Sequence, residues 1–528
     1  MKTGAISLRR TTRAGVSLLG AATLISMNVA PGVHARSLAA PPVAPKYGGT
    51  FQVQGGQPDC LDPQKTGLSA SNAIFSLVVD PLISFDKKGH YQPDLALKWK
   101  YSNGGKTLTL FLRHGVKFSN GDPFNASAVK YTFDRALDPA TKSTTTHADL
   151  KTVTSIDAVN AYTVRLNLSA PSRVLLTNLT LSYTGILDPK VTRTEGSGSC
   201  QRPVGTGPFK IQGVGPAFAT VTLVRNNFHN FNPAWITNRG KAYLSKVVFK
   251  AIANPATAVS ELLSGDLDYA SIPGTQLSRT QGNSNVKLHR SLAQGETFVG
   301  FNFTRPQLAQ TPVRKAIAEA INKQAILAAA YQGLGKIANS PLGQTMPFYD
   351  KNASKYALKY NPTDAQRLFV ANHVTGPFDL VILQDPAFES TAQVIQQQLG
   401  AVGVKINIVT KAPADYFPAV ATGKFDLTVL GFGYPDPDIL FQLFDSSQEH
   451  GGLNFWNYSN PTVDNLLTTG RENAKKARAA YNSVQKIFDT EAVDIPLIDQ
   501  STPFGLRSRI KGYDFNPSSG IPFVGLYL

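Results

Sequence analysis

Sulfur is scarce in this chain: its 528 residues include two cysteines and three methionines, with only three tryptophans. Two cysteines exclude a disulfide-dense scaffold and any zinc or iron–sulfur site built on several thiolates. Acid is scarce as well, 35 Asp and Glu against 52 Lys and Arg, for a formal charge of +17. Such a charge raises nucleic acid or an anionic surface as a partner. No Lys/Arg run with interleaved aromatics occurs, however, and the basic residues are scattered, so a solvated basic surface is expected and nucleic acid is not. Catalytic signatures are missing too, with no Gly-x-Ser-x-Gly elbow and no His-Glu-x-x-His helix. His90, His114, His147, His229, His289, His373 and His450 are dispersed, which argues against a dedicated metal cage. No metal and no cofactor is predicted. A secreted hydrolase whose triad assembles only in space is the remaining enzymatic alternative. Gly105-Lys106-Thr107 imitates the end of a phosphate loop, but Lys100 stands where that loop needs its first glycine, and the segment lies between strands.

The N-terminus reads as an export signal. Lys2, Arg9, Arg10 and Arg13 precede an apolar segment from Ala14 to Ala30, and Val33-His34-Ala35 offers a signal-peptidase site. Residues 1–35 are assigned as signal peptide and 36–45 as a Pro/Ala linker. Loss of the four cations takes the formal charge from +17 to +13. An uncleaved anchor is the alternative, but Ser17, Thr23, Ser26 and Asn28 interrupt a run already short for a bilayer, and no other stretch could span one. Twin-arginine export is opposed by Thr12 and Arg13, where that signal has apolar residues. Neither cysteine follows the apolar segment closely enough to carry a lipid. In an oxidising compartment Cys60 and Cys200 most simply form one disulfide, the alternative being two buried free thiols.

With 42% hydrophobic and 16% charged residues, the chain can bury a large core in two or three domains. A strand is expected at 50–54, a helix over 69–79, and a hairpin over 99–118 turning at Asn103-Gly104-Gly105. A helix follows to Leu137, strands near 152–156 and 162–168, and a helix near 174–179. Later come strands at 221–225 and 247–252 with a helix at 257–263, then a helix opened by Pro312. Strands at 378–383, 404–409 and 425–430 alternate with helices at 390–399 and 414–422, an order that implies parallel strands in an α/β fold.

The last of those strands runs into Gly431-Phe432-Gly433-Tyr434-Pro435-Asp436-Pro437-Asp438. Apolar residues without alternation suit a strand covered on both faces, while the glycines and prolines end its ladder. The carboxyl end of such a strand is where open α/β sheets hold ligands.

Gly48-Gly49-Thr50, Leu61-Asp62-Pro63, the block from Pro93 to Pro139, Gly205-Thr206-Gly207-Pro208-Phe209, Gly300-Phe301-Asn302, the Tyr434 to Asp438 run, Tyr458-Ser459-Asn460-Pro461 and Ile495-Pro496-Leu497 occur in order across nearly the whole mature chain. On these motifs the chain resembles the extracellular solute-binding proteins of family 5, the dipeptide-, oligopeptide- and nickel-binding components of ABC importers. The resemblance implies a two-lobed periplasmic-binding-protein clamp, type II and cluster C-like, with an additional α+β subdomain. Lobe I would take residues 46–78, 189–294 and 497–528, the subdomain 79–188, and lobe II 295–496. The Cys60–Cys200 pairing would then lie within lobe I, and crossings near 292–297 and 495–496 would be hinges.

In peptide-binding relatives the ligand backbone adds to extended segments like a strand. The resemblance places Thr66-Gly67-Leu68-Ser69 and Gly431-Phe432-Gly433 at those segments, with Tyr434 beside them. A carboxylate usually holds the peptide's amino terminus just before the tyrosine, and here Gly433 stands there; Asp436 and Asp438 read as turn-formers instead. Asn454, Phe455 and Trp456 are further candidates for the cleft, as aromatic stacking surfaces. The implied function is an exported, monomeric, non-enzymatic receptor in the periplasm or at the outer face of the envelope. It would capture a small solute, expected to be an oligopeptide, for an ABC permease and ATPase on separate chains. A sugar, an opine-like compound or a metal chelate is the alternative cargo.

Overall fold

The computed structural model describes residues 44–528 except 144, 293–294, 450–451, 502 and 517–521. The expected signal peptide and most of the linker lie outside the described residues. Three separate stretches of chain build a seven-stranded sheet in the order Val286–His289, Phe504–Arg507, Tyr269–Ser271, Thr50–Gly55, Lys246–Ala251, Thr220–Arg225, Phe209–Val214. Thr50–Gly55 runs parallel to both Lys246–Ala251 and Tyr269–Ser271, and the pairs outside these three are antiparallel. Alternation along these strands buries Phe51, Val53, Val247, Phe249, Val221 and Leu223 in one core.

A second, six-stranded sheet has the order Gly335–Ile337, Asp494–Gln500, Thr297–Phe301, Leu427–Gly431, Phe378–Leu383, Ile406–Lys411. Phe378–Leu383 pairs in parallel with both Ile406–Lys411 and Leu427–Gly431, as the alternating strand–helix order implies. Helix Pro386–Ala401 starts a turn earlier than its apolar spacing suggests. Asp385 caps it, Oδ1 accepting from Ala387 N at 2.9 Å and Phe388 N at 3.1 Å, with Pro386 in the first turn. Thr297–Phe301, which the sequence did not reveal as a strand, inserts antiparallel beside Leu427–Gly431. All five of its residues are buried, so it shows no alternation to read.

The hairpin at Asn103–Gly105 is present and belongs to a four-stranded antiparallel sheet, Ala96–Ser102, Thr107–Leu112, Thr163–Leu168, Val153–Asn160. Helix Ala126–Leu137 packs Val129 and Phe133 into a core with Leu108, Leu110, Val164 and Leu166. The helix expected over 69–79 stops at Phe75. The carbonyls of Leu77 and Val78 turn away to accept from Phe209 N at 3.0 Å and Gly207 N at 2.9 Å. Glycine is required at 207, because a Cβ would come within 2.6 Å of the Val78 backbone.

The chain passes between the two large sheets twice, from His289 towards Thr297 and from Gln500 back to Phe504. Leu292 and Ser501 form an antiparallel bridge where the passages run side by side. Cys60 and Cys200 are joined in a disulfide, and Leu61 N donates to the Cys200 carbonyl at 2.8 Å.

Asp494 and Asp499, on strand Asp494–Gln500 of the second sheet, and Asp489, on helix Ala477–Glu491 before it, are all buried, with Lys323 acting on each. Burial pushes the Asp489 carboxyl up to about 9, helped by Asp494, and raises Asp494 and Asp499 to about 7 and about 6. Burial also lowers Lys323 to about 8, against the pull of the three acids. Each acid keeps in the folded state a proton that the unfolded chain releases near pH 4, so stability declines as pH climbs from there to the folded value. Lys323 acts with the opposite sign, and only above about pH 8. Urea unfolding should therefore show stability falling from about pH 5 to about pH 8, with Asp489→Asn flattening the slope. A parent profile that rises over this range would contradict burial of these acids.

Candidate functional site

Strand Leu427–Gly431 is where the site begins. Leu427 and Val429 join the core containing Val299 and Leu380, whereas Leu430 packs on the opposite face with Phe298 and Trp456. The pairing with Phe378–Leu383 stops at Val429, while that with Thr297–Phe301 continues to Gly431. The strand therefore delivers Gly431, Phe432 and Gly433 past the end of one ladder, with that edge free of a strand partner in the sheet.

These three residues line a cavity of about 180 Å³ together with Gly295, Glu296, Phe388 and Gln500. Phe388 and Gln500 also line a larger cavity of about 670 Å³, whose walls come from both sheets' surroundings. Ser271, Pro273, Gly274 and Thr275 face it from the first, and Tyr331, Gln332 and Asp385 from the second. Gln500 is fixed by donating Nε2–H to Thr297 Oγ1 at 2.5 Å, and Tyr331 OH reaches the same hydroxyl at 3.3 Å. Glu296 lies on the wall next to the glycine loop. Burial, then the charges of Asp494 and Asp499, hold its carboxyl well above the ordinary range. The arrangement offers free backbone, amide groups, three aromatic rings and two carboxyls, the one on Asp385 already engaged as a helix cap, to a ligand enclosed between two sheets.

Beyond the glycines the loop is anchored elsewhere. Tyr434 OH donates to Asn178 Oδ1 at 2.9 Å. Asp436 accepts a bidentate pair from Arg173, 2.7 Å from Nη1 and 2.6 Å from Nη2, and a third bond from Thr177 Oγ1 at 2.8 Å. Arg173 also donates Nε–H to the Gly470 carbonyl at 3.0 Å. Burial alone would raise the Asp436 carboxyl, but the Arg173 charge and hydrogen bonds outweigh it and hold the group below its ordinary range. Asp436 Oδ1 does accept from Asp438 N at 2.9 Å, as a turn-former should. Its ion pair to Arg173, 263 residues away, is what the sequence did not show.

The other candidates fall in different places. Thr66 Oγ1 donates to Asp59 Oδ1 at 2.6 Å and accepts from Leu68 N at 3.0 Å, Ser69 opens a short helix, and the Gly67 carbonyl accepts from Tyr183 OH at 3.0 Å. None of these four residues lines either cavity. The stretch from Asn178 to Tyr183 nevertheless touches both candidate loops, at Gly67 and at Tyr434. Trp456 is a correction: it was expected in the cleft, and it is fully buried among Phe298, Phe425 and Phe444. The missing side chain of Gly300 makes the slot, since a Cβ there would stand 2.3 Å from the indole. Asn454 is likewise buried, its amide donating to the Asp445 and Tyr458 carbonyls at 3.1 and 2.8 Å, and Phe455 packs against the same core. Glu296, Phe388 and Gln500 escaped the sequence reading because they sit beside the chain crossings and at a helix start, which only tertiary folding brings together.

Two lobes, a cleft between them and a glycine loop on its wall define a solute-binding protein of the clamp type. The chain belongs to the bacterial extracellular solute-binding proteins, family 5, whose middle-region model matches residues 90–452. It is 26% identical over 490 residues to heme-binding protein A of Haemophilus influenzae, covering 86% of this chain and 87% of that one. It is also 26% identical over 535 residues to the glutathione-binding protein GsiB of Escherichia coli (strain K12), covering 98% of each. The periplasmic binding protein DppA from Helicobacter pylori, solved in complex with the peptide STSA, superposes with a TM-score of 0.76 at 23% identity, over 92% of this chain and 98% of that one. Proteins of this family bind peptides or other small ligands and work with ABC permeases. Among the described residues no helix is long and apolar enough to cross a membrane.

Proposed function

We propose that the protein is an exported, non-enzymatic receptor that encloses an oligopeptide between its lobes and passes it to an ABC permease. The observation that carries this reading is the unpaired edge beyond Val429, where Gly431 to Gly433 can hydrogen-bond an extended ligand backbone on the wall of the cleft. The lobes in this reading are residues 46–78, 189–294 and 497–528 against 295–496, with 79–188 as the subdomain, and sheet membership supports that division. The peptide bound to the Helicobacter pylori relative supports the ligand class. A second reading rests on Gly433: without an acid at that position a ligand lacking a free amino terminus is favoured, and heme- and glutathione-binding relatives show that cargo varies.

Calorimetry on refolded, ligand-stripped protein separates these readings. Saturable one-to-one binding from a peptide pool is expected, with sugar and metal-chelate pools silent. Binding only from a non-peptide pool would transfer the assignment to the second reading. No binding from any pool, together with turnover of a model ester or peptide, would remove the receptor altogether.

A further inference from the structure

In a chain with 52 Lys and Arg against 35 Asp and Glu, the walls between the two large sheets are an exception. Among the described residues lining the cavities of about 670 Å³ and about 180 Å³ there is no lysine, arginine or histidine. The larger cavity offers amides on Gln332 and Gln500, hydroxyls on Ser271, Thr275 and Ser390, and one carboxyl, on Asp385. A carboxylate moved from water into such a space loses hydration and finds no counter-charge, which is costly.

The N-terminus of helix Pro386–Ala401, on the same wall, would ordinarily suit an anion through its free N–H groups and the positive end of the helix dipole. Asp385 already fills it. Its Oδ1 accepts from Ala387 N at 2.9 Å and Phe388 N at 3.1 Å, and its main-chain carbonyl accepts from Glu389 N at 2.9 Å. An incoming carboxylate would therefore meet another carboxylate. The second oxygen of Asp385 is placed differently. Oδ2 has no hydrogen bond or ion pair among the described residues and, on this half-buried side chain, stays open to solvent. Its charge is felt inside the cavity, because it adds to burial in raising the Tyr331 phenol on the same wall. The carboxyl of Glu296 is held up by burial and then by Asp494 and Asp499, which leaves Asp385 as the stronger charge.

We propose that Asp385 makes the site selective for charge. Its Oδ2 receives an ammonium or guanidinium of the ligand, from a peptide's amino terminus or from a basic side chain, and the cation-free walls turn carboxylates away. This rests on the cleft being the ligand site, and it supplies the acid that Gly433 does not. The overall positive charge of the protein works in the opposite direction, drawing anions at long range. At about 0.15 M salt that attraction is screened beyond about 8 Å, so close groups decide.

Four peptides titrated calorimetrically into the full, ligand-stripped mature protein at that salt test the selectivity: Ala-Gln-Ala-amide, acetyl-Ala-Lys-Ala-amide, acetyl-Ala-Gln-Ala-amide and acetyl-Ala-Glu-Ala-amide. At least one of the first two, each carrying one cation, should bind about tenfold tighter than the neutral third, and the acidic fourth should bind weakest. Whichever of the two is tighter identifies amino terminus or side chain as the source of the cation. Asp385→Asn keeps a helix cap and should bring the cationic and neutral peptides within about threefold of each other. Gln332→Lys leaves the cap alone, puts a cation on the wall and should strengthen binding of the acidic peptide about tenfold, so it serves if Asp385→Asn does not fold. An acidic peptide that binds the parent as tightly as the cationic ones, or an unchanged preference in Asp385→Asn, would overturn the proposal and leave the receptor reading standing. 1,4-Diaminobutane and succinate form a second arm. If no peptide binds but the diamine does and succinate does not, the peptide reading falls and the charge selectivity stands. Silence of the diamine and of all four peptides would overturn both.

Discussion

Replacing Arg173 by alanine is expected to cost about 3–5 kcal/mol of stability, because it strands the Asp436 carboxylate in the interior. The guanidinium carries two bonds to Asp436 and one to the Gly470 carbonyl, and it lies 5.5 Å over the Phe348 ring and 5.8 Å over that of Tyr481. None of these partners is near Arg173 in sequence, so the pair ties the chain that follows the four-stranded sheet to the loop leaving the six-stranded one, at the root of the glycine loop. Exchanging both partners for apolar residues, Arg173→Met with Asp436→Leu, should recover at least half the loss, since neither charge then remains unpaired. The sign of the pH dependence is fixed as well. Asp436 has a lowered folded value, so its contribution is fully present above about pH 4 and disappears as pH falls through the folded value below that. Urea unfolding at neutral and acidic pH measures both effects; an Arg173→Ala loss within about 1 kcal/mol would show the pair to be solvated and weak.

Loss of the disulfide should be felt as strongly, by a different route. The bond closes a loop between residues 140 apart, and restricting the unfolded chain over such a span is worth about 5 kcal/mol in the chain-entropy estimate, with measured losses of about 2–5 kcal/mol. Cys60→Ala with Cys200→Ala removes little from the folded state, because the Leu61 to Cys200 backbone bond remains. Denaturant midpoints of the double variant should fall accordingly, and labelling of the unreduced, denatured parent should find no free thiol. Parent protein that labels at both cysteines would contradict the pairing.

The alternating strands and helices between 378 and 430 were legible because their apolar spacing is regular, and parallel pairing followed from their order. Thr297–Phe301 was not, since burial on both faces erases the period that betrays a strand. The helix over 69–79 was read too long for a related reason: its last carbonyls serve a glycine turn more than 120 residues away, which no local pattern records. At the site, the turn chemistry around Gly431 to Gly433 was readable and lies on a cavity wall. Trp456 was misread, because an aromatic beside polar neighbours looks the same in sequence whether it faces solvent or fills the slot left by Gly300. Asp436 shows the limit most clearly: its turn bond is local and could be foreseen, whereas its arginine partner comes from another part of the fold.

The bridge between Leu292 and Ser501 has a bearing on how this protein can be handled. Everything from Gly295 to Gln500 leaves the first sheet and returns to it at one place, as an insert whose two ends are neighbours. Such a segment can be excised, transplanted or given new termini as a cassette without a long connector. A reporter domain placed at that junction would sit where both passages between the two sheets run side by side, in position to register any change in the angle between them.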